Sequence, residues 1–338
     1  MGLFFGESVV GLEFDYGELR AVELGGRKGS PEIISWGRLS LPETALADGI
    51  VLEPQRVGEM LGQLWTRAAF RSRETVLGIS NQGVLVRFAT FPRVPEEKLK
   101  NMVRYQARDL LPFSLDEVVM DFSVVGEVQR ENDKLIEILL VAAQREMIKK
   151  FLTSLEPAKL KPRDINVSSL TLLQIIPPHP REGAVAVLDL ANGSSMLLLA
   201  TAGIPRLARR LSSSLQDAAL RLACTLDEVV VRAGAAPGEP FPDAFIDWGE
   251  TLVGEVRSSI NYYQAQPGAA AVQEIILSGR GARIMGLADQ LQEIFEIPIS
   301  IADPLQFVRS VKYDLAGFKA AAADFAVSFA LARGGLGG

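Results

Sequence analysis

Cysteine and histidine are almost absent from this chain, with one of each, Cys224 and His179, among 338 residues. A lone cysteine forms no internal disulfide, and one histidine supplies no His/Cys set for a transition metal. His179 lies among Pro177, Pro178 and Pro180, a stretch that reads as a linker loop rather than the rigid seat a catalytic triad needs. Cys224 ends an apolar helical stretch and reads as a core residue. No basic block exists: the 35 Lys and Arg residues are scattered along a chain of net charge -6, so neither nucleic acid nor an anionic membrane surface is an expected partner. No G-x-x-x-x-G-K-[ST] loop occurs, and Gly279, Gly281 and Gly286 miss the G-x-G-x-x-G spacing of dinucleotide sites. The opening MGLFFGESVV has no basic n-region and no small-residue cleavage site, so it is not expected to be a signal peptide. Asp189 and Asn192-Gly193 interrupt the longest apolar candidate, and no run is expected to reach the ~20 residues that span a bilayer. Any link to a membrane is therefore expected through a partner.

What is abundant is core material. With 48% hydrophobic residues the chain can bury a large interior, and its length predicts about two domains. Residues 8 to 23 read as two strands joined at Asp15-Tyr16-Gly17, a hairpin with a carboxylate near its tip. After Pro54, the residues Val57, Met60, Leu61, Leu64, Trp65 and Ala68 mark one face of an amphipathic helix, followed by a strand at 76–80. Residues 84 to 165 form a separate series. A strand runs to Phe91, a helix starts at Pro95-Glu96-Glu97 with acids in its first turn, strands follow at 118–125 and 135–142, and a helix carries Met147, Phe151 and Leu155. This predicts a small inserted α+β module.

The second half repeats the opening pattern. A buried strand at 184–190 carries Asp189, Asn192-Gly193 makes a turn, and strands follow at 196–200 and 206–210. Two such hairpins in facing domains predict a cleft with a carboxylate and backbone N–H groups at its base, a phosphate-binding geometry. Later, Ser278-Gly279-Arg280-Gly281-Ala282 lies between a strand and a helix, where backbone N–H groups can face an anion.

The specific stretches are Pro95-Glu96-Glu97-Lys98-Leu99 running into Ala107-Arg108-Asp109-Leu110-Leu111-Pro112-Phe113, then 118–122. With Gly11-Leu12-Glu13, Ala21-Val22-Glu23-Leu24, Leu140-Val141-Ala142-Ala143, 277–281 and Ile297-Pro298 through Asp303-Pro304, they resemble, in order along the chain, the PilM family of actin-like proteins, relatives of FtsA in the type IV pilus platform. The resemblance implies an α/β, actin-like (ASKHA) two-domain fold with an FtsA/PilM-type inserted α+β subdomain. It divides the chain into subdomain 1A (1–84, 166–182, 321–333), inserted subdomain 1C (85–165), 2A (183–215, 273–320) and 2B (216–272). It also implies a cytoplasmic scaffold, peripheral at the inner face of the membrane. That scaffold would bind the N-terminal cytoplasmic peptide of a PilN-like membrane protein and work with other platform proteins and the motor. An active actin-like ATPase or small-molecule kinase is the alternative.

The resemblance also places ATP with Mg2+ in the cleft. The first phosphate loop would comprise Gly11, Glu13, Asp15, Tyr16, Gly17 and Arg20, and the second Asp189, Asn192, Gly193 and Ser194. The adenosine loop would comprise Gly279, Arg280 and Gly281, with Glu228 and Arg232 on an outer helix toward the nucleoside. This chain departs from the family pattern G-I-D-I-G-S-S, reading Gly11-Leu12-Glu13-Phe14-Asp15-Tyr16-Gly17. An extra carboxylate and a bulky ring stand where the backbone would approach phosphate, so weak or absent ATP binding is expected. Glu13 and Asp15 read equally as solvated turn residues, and Glu228 and Arg232 as a solvated helix face. The partner peptide is expected in a groove between residues 1 to 84 and 84 to 165, with Tyr105, Leu110, Leu111, Pro112 and Phe113 as one wall; packing of the module's own core is the other reading of those side chains.

Overall fold

The computed structural model describes residues 8–42, 44–47, 49–130, 133–177, 183–236 and 239–336. His179, the segment before Ser8, and Glu131-Asn132 of the expected polar turn lie outside these residues. The chain opens with strands β1 (Ser8–Asp15), β2 (Glu18–Arg27) and β3 (Ser30–Ser40), the short pair β4 (Leu46–Ala47) and β5 (Ile50–Val51), helix α1 (Pro54–Arg67) and strand β6 (Glu74–Ile79). A two-residue turn joins β1 to β2, and Gly17 at φ +66° supplies the left-handed conformation it needs. Next come β7 (Val84–Pro92), α2 (Glu96–Gln106), β8 (Val118–Arg130), β9 (Asp133–Gln144), α3 (Arg145–Leu155), β10 (Lys161–Val167) and a single turn, α4 (Ser168–Thr171). The second half holds β11 (Ala184–Asp189), β12 (Met196–Thr201), β13 (Ile204–Arg210), α5 (Leu215–Arg221), α6 (Leu226–Arg232), α7 (Asp243–Gln264), β14 (Val272–Ser278), α8 (Leu287–Phe295), β15 (Ile299–Ile301), β16 (Ser310–Val311), α9 (Leu315–Ala321) and α10 (Ala326–Gly335).

The two large sheets carry the duplication. The first has the order β10-β6-β1-β2-β3-β16 and the second β13-β12-β11-β14-β15. In each, an antiparallel meander (β1-β2-β3, β11-β12-β13) is extended by parallel strands on its first member. Strand β3 was not expected. Its inward positions include Ser35, whose hydroxyl donates to the Ala68 carbonyl, and Gly37, where a Cβ would lie 2.8 Å from the Ala68 side chain. A polar and a bare residue on the buried face erase the apolar alternation by which strands are read.

The three-stranded sheet β7-β9-β8 with α2 is the inserted unit. It is narrower than the expected 85–165. Met147, Phe151 and Leu155 of α3 pack with Val57, Leu61 and Leu64 of α1 in the first domain's core, and β10 pairs with β6 in the first large sheet. The insertion therefore spans residues 84 to 144, and its ends meet where the Gln144 N–H donates to the Gly83 carbonyl at 3.0 Å.

Between the two large sheets lies the C-terminal helical layer. Phe318, Phe325, Phe329 and Leu331 pack with Val9, Val22 and Val76 of one sheet and Val185, Val187 and Ile276 of the other. The 21-residue segment Leu315–Gly335, with an 18-residue stretch of mean hydropathy 1.4, is long and apolar enough to cross a membrane, contrary to the expectation that no run would be. Here 72% of that 18-residue stretch is buried, and the segment serves as the shared core. Gly11 takes its role from this packing: a Cβ at that position would lie 2.0 Å from the Ser328 carbonyl oxygen and 2.5 Å from the Ala332 nitrogen. Cys224, half-buried just before α6, packs against the second domain's core.

Candidate functional site

The two hairpins meet face to face. The Asp15 carboxylate, at the end of β1, accepts the backbone N–H of Asn192 at 2.9 Å through Oδ2 and that of Gly193 at 3.1 Å through Oδ1. The Asn192 side-chain amide donates back to the Tyr16 carbonyl at 3.2 Å. Gly193 is packed so closely that a Cβ there would lie 2.5 Å from the Cβ of Tyr16. The expected carboxylate and N–H groups are thus both present, and they are bonded to each other.

Behind Asp15 stands Arg20 on β2, 1% exposed. It donates to Asp15 at 2.5 Å, to Glu13 at 3.0 and 3.2 Å, and to Glu18 at 3.3 Å. Register explains the cluster, because Glu13 lies directly opposite Arg20 on the paired strand and Asp15 opposite Glu18. Glu13 and Asp15 are buried and not the solvated turn residues that the sequence also allowed. Burial resists the charge on Arg20, yet Glu13, Asp15 and Glu18 hold its pKa well above the usual value. Burial pushes the Glu13 carboxyl up to about 7, with Arg20 pulling it down and Asp15 pushing it further up. Burial likewise raises Asp189 to about 6.

Arg280, on the third loop, crosses to the first hairpin and donates to both Glu18 oxygens at 3.0 and 3.1 Å. Its other nitrogen donates to the Leu226 carbonyl at 3.2 Å and to Asp227 at 3.3 Å, which ties α6 to the same point. Gly279 at φ +77° makes the turn that aims it. The backbones around it are tight: a Cβ on Gly279 would lie 2.6 Å from the Leu190 carbonyl oxygen, and one on Gly281 would lie 2.5 Å from the Leu190 side chain. Glu228 and Arg232 do not join the cluster. They pair with each other on the exposed face of α6 at 3.4 Å, and Glu228 also caps Thr225. Glu18, Asp227, and the Arg38–Asp324–Arg283 bridge at 2.9 Å on each side were not read from the sequence. What remains open is a cavity of about 150 Å3, lined by Glu13, Asp15, Tyr16, Asp189, Ser194 and Arg210.

A second and larger hollow, about 400 Å3, lies between the inserted unit and the first domain. Asp121 and Ser123 of β8, Leu139 and Val141 of β9, and Ile165 and Val167 of β10 line it. Both β8 and β10 end their sheets, so among the described residues two strand edges without a neighbouring strand flank the hollow. Tyr105, Leu110, Leu111, Pro112 and Phe113 are not among its lining. Leu111 packs with Ile136, Ile138 and Leu140 of β9 in the inserted unit's own core, with Leu110 and Phe113 alongside. Because side chains alternate along a strand, that core lies on the opposite face of the sheet from Leu139 and Val141. The expected wall thus lies on the other face of the inserted sheet from this hollow, and Tyr105 is 69% exposed.

A family model described as type IV pilus assembly protein PilM matches residues 11–202. Among solved structures, the chain is similar to one described as a PilM-PilN type IV pilus biogenesis complex, with a TM-score of 0.86 at 24% identity over 98% of this chain and 99% of that one. It is also similar to the ethanolamine utilization protein EutJ from Carboxydothermus hydrogenoformans, with a TM-score of 0.54 at 8% identity over 97% and 89% of the two chains. MreB5 of Spiroplasma citri bound to AMPPNP gives a TM-score of 0.50 at 10% identity over 96% and 94%. The fold is therefore the actin-like one, with the duplicated sheets described above.

Proposed function

This chain belongs to the PilM family of type IV pilus assembly proteins, and on that premise we propose that it is a non-catalytic cytoplasmic scaffold. It works at the inner face of the membrane by holding the N-terminal cytoplasmic peptide of a PilN-like membrane protein. The observation that carries this reading is the hollow of about 400 Å3 flanked by β8 and β10, each the end strand of its sheet among the described residues. Its size falls within the ~300–1,000 Å3 of ligand sites. An unpaired edge offers a row of backbone donors and acceptors to an incoming extended segment, while side-chain pockets select residues along it. Leu139, Val141, Ile165 and Leu331 give an apolar floor, and Asp121, Asp164 and Lys28 add charge, so a partly apolar segment with polar ends suits it. Resemblance to a structure described as a PilM-PilN complex supports the choice of partner.

ATP with Mg2+ does not suit the cleft. Phosphoryl transfer needs donors free to hold phosphate, whereas the Asn192 and Gly193 amides are bonded to Asp15. The cavity of about 150 Å3 is below the ~300 Å3 of small-molecule sites.

The scaffold reading is tested with a synthetic N-terminal peptide of the PilN-like protein, followed by fluorescence anisotropy. Intact chain is compared with a form in which residues 84–144 are excised and the adjoining ends, already bonded through Gly83 and Gln144, are linked. Binding is expected to be lost with the unit. Equal binding by the shortened, folded chain would overturn the assignment.

A further inference from the structure

We propose that Asp15 is a built-in substitute for a nucleotide phosphate, so that the two halves of the molecule are held closed with no ligand in the cleft. This deepens the scaffold reading and rests on it only for the identity of the cleft. Successive backbone N–H groups converging on one point form an anion-binding concavity. In this chain the concavity is the Asn192-Gly193 turn, and each of its two N–H groups donates to a different oxygen of the Asp15 carboxylate. Arg20 and the Tyr16 N–H complete the shell around the same carboxylate, at 2.5 and 2.8 Å. An anion is thus already seated on the amides, held by four hydrogen bonds, and it comes from the facing domain.

Three further observations close the cleft around that contact. Arg280 binds both oxygens of Glu18 from the other half. Tyr16 packs onto Gly193 with no room for even a methyl group between them. The two buried guanidiniums of the cleft are already occupied, Arg20 by Glu13, Asp15 and Glu18 and Arg280 by Glu18 and Asp227, and both are at most 5% exposed. A phosphate would have to displace Asp15 from the amides and enter beside those carboxylates, where little water screens repulsion.

The test is hydrogen exchange of the amides in residues 190–195 of the full chain, with and without millimolar Mg-ATP. Wild-type Asn192 and Gly193 are expected to be protected without nucleotide and unchanged by it. In the Asp15→Gly, Tyr16→Ser double variant their exchange should rise about tenfold or more, and Mg-ATP should restore protection. If that variant does not fold, Asp15→Asn, which keeps one acceptor oxygen and loses the charge, should show a smaller rise. Rapid exchange in the wild type that slows on adding Mg-ATP would overturn the proposal, as would a folded variant with unchanged exchange. Peptide binding is read on the same samples. Rapid exchange with peptide binding intact counts against this inference alone, and protected amides without peptide binding count against the scaffold reading alone.

Discussion

Arg280 donates to both carboxylate oxygens of Glu18 although the two residues lie 262 positions apart, on facing halves of the molecule. Both are buried, so removing one leaves the other charged and short of partners. Glu18 keeps Arg20 at 3.3 Å and Arg38 at 3.6 Å, which softens the loss. Arg280→Met is expected to cost about 3 kcal/mol, while Glu18→Gln combined with Arg280→Met should cost less than the two single losses together. Urea unfolding midpoints of the four proteins check this, and strict additivity would show that the pair is not coupled.

Gly11 looks like a phosphate-loop glycine in the sequence, but its lack of a side chain admits α10. Gly11→Ala would drive a methyl group into the Ser328 carbonyl and the Ala332 nitrogen, which are backbone atoms of a helix and shift only with it. A loss of about 2 kcal/mol or more is expected, equal with and without Mg-ATP. A variant as stable as wild type would place α10 elsewhere.

How much of this could be read beforehand depends on the range of the signal. The hairpins were legible because Asp15-Tyr16-Gly17 and Asn192-Gly193 carry local turn chemistry beside apolar strands. Strand β3 was hidden by Ser35 and Gly37 on its buried face. The apolar stripe of α3 was visible, but its partner α1 lies some ninety residues earlier in the chain, and sequence alone assigned α3 to the wrong unit. Asp15 was singled out in the sequence as a departure from the family pattern. That its charge would be met by Arg20 and by the amides of the second hairpin follows only from strand register and domain facing. Leu110, Leu111 and Phe113 were read as a groove wall, and they pack in the inserted unit's core, because an apolar, aromatic-rich stretch reads alike whether it lines a groove or the core behind it.

Burial raises Glu13 to about 7 and Asp189 to about 6. Between their ordinary values of 4.5 and 3.8 and these raised ones, the folded chain binds more protons than the unfolded chain. Stability from these groups is therefore full below the ordinary values and falls as pH rises through the window. Glu13 faces Arg20, Asp15 and Asp189, with Ser328 donating from α10 at 3.1 Å. Glu32 acts in the other direction. Hydrogen bonds from Lys312 and Ser310 lower it to about 2, so its contribution is lost only as pH falls below 4.5. Urea midpoints should decline from about pH 5 to about pH 7, and Glu13→Gln should flatten that decline. A wild-type midpoint that rises across the window, unaltered by Glu13→Gln, would contradict the burial of a protonated Glu13.

On the proposed function the partner peptide lies in the hollow between β8 and β10, on the face of the inserted sheet opposite α2, and this placement can be tested. Its most direct measurement is the affinity of the PilN-like N-terminal peptide for wild-type chain, Val141→Lys and Tyr105→Ala. Val141 lines the hollow, and Tyr105 is exposed on α2. Val141→Lys is expected to weaken binding about tenfold or more, equivalent to ~1.4 kcal/mol, and Tyr105→Ala to leave it unchanged. Undiminished binding by Val141→Lys together with loss on Tyr105→Ala would place the peptide on the other face and contradict the account.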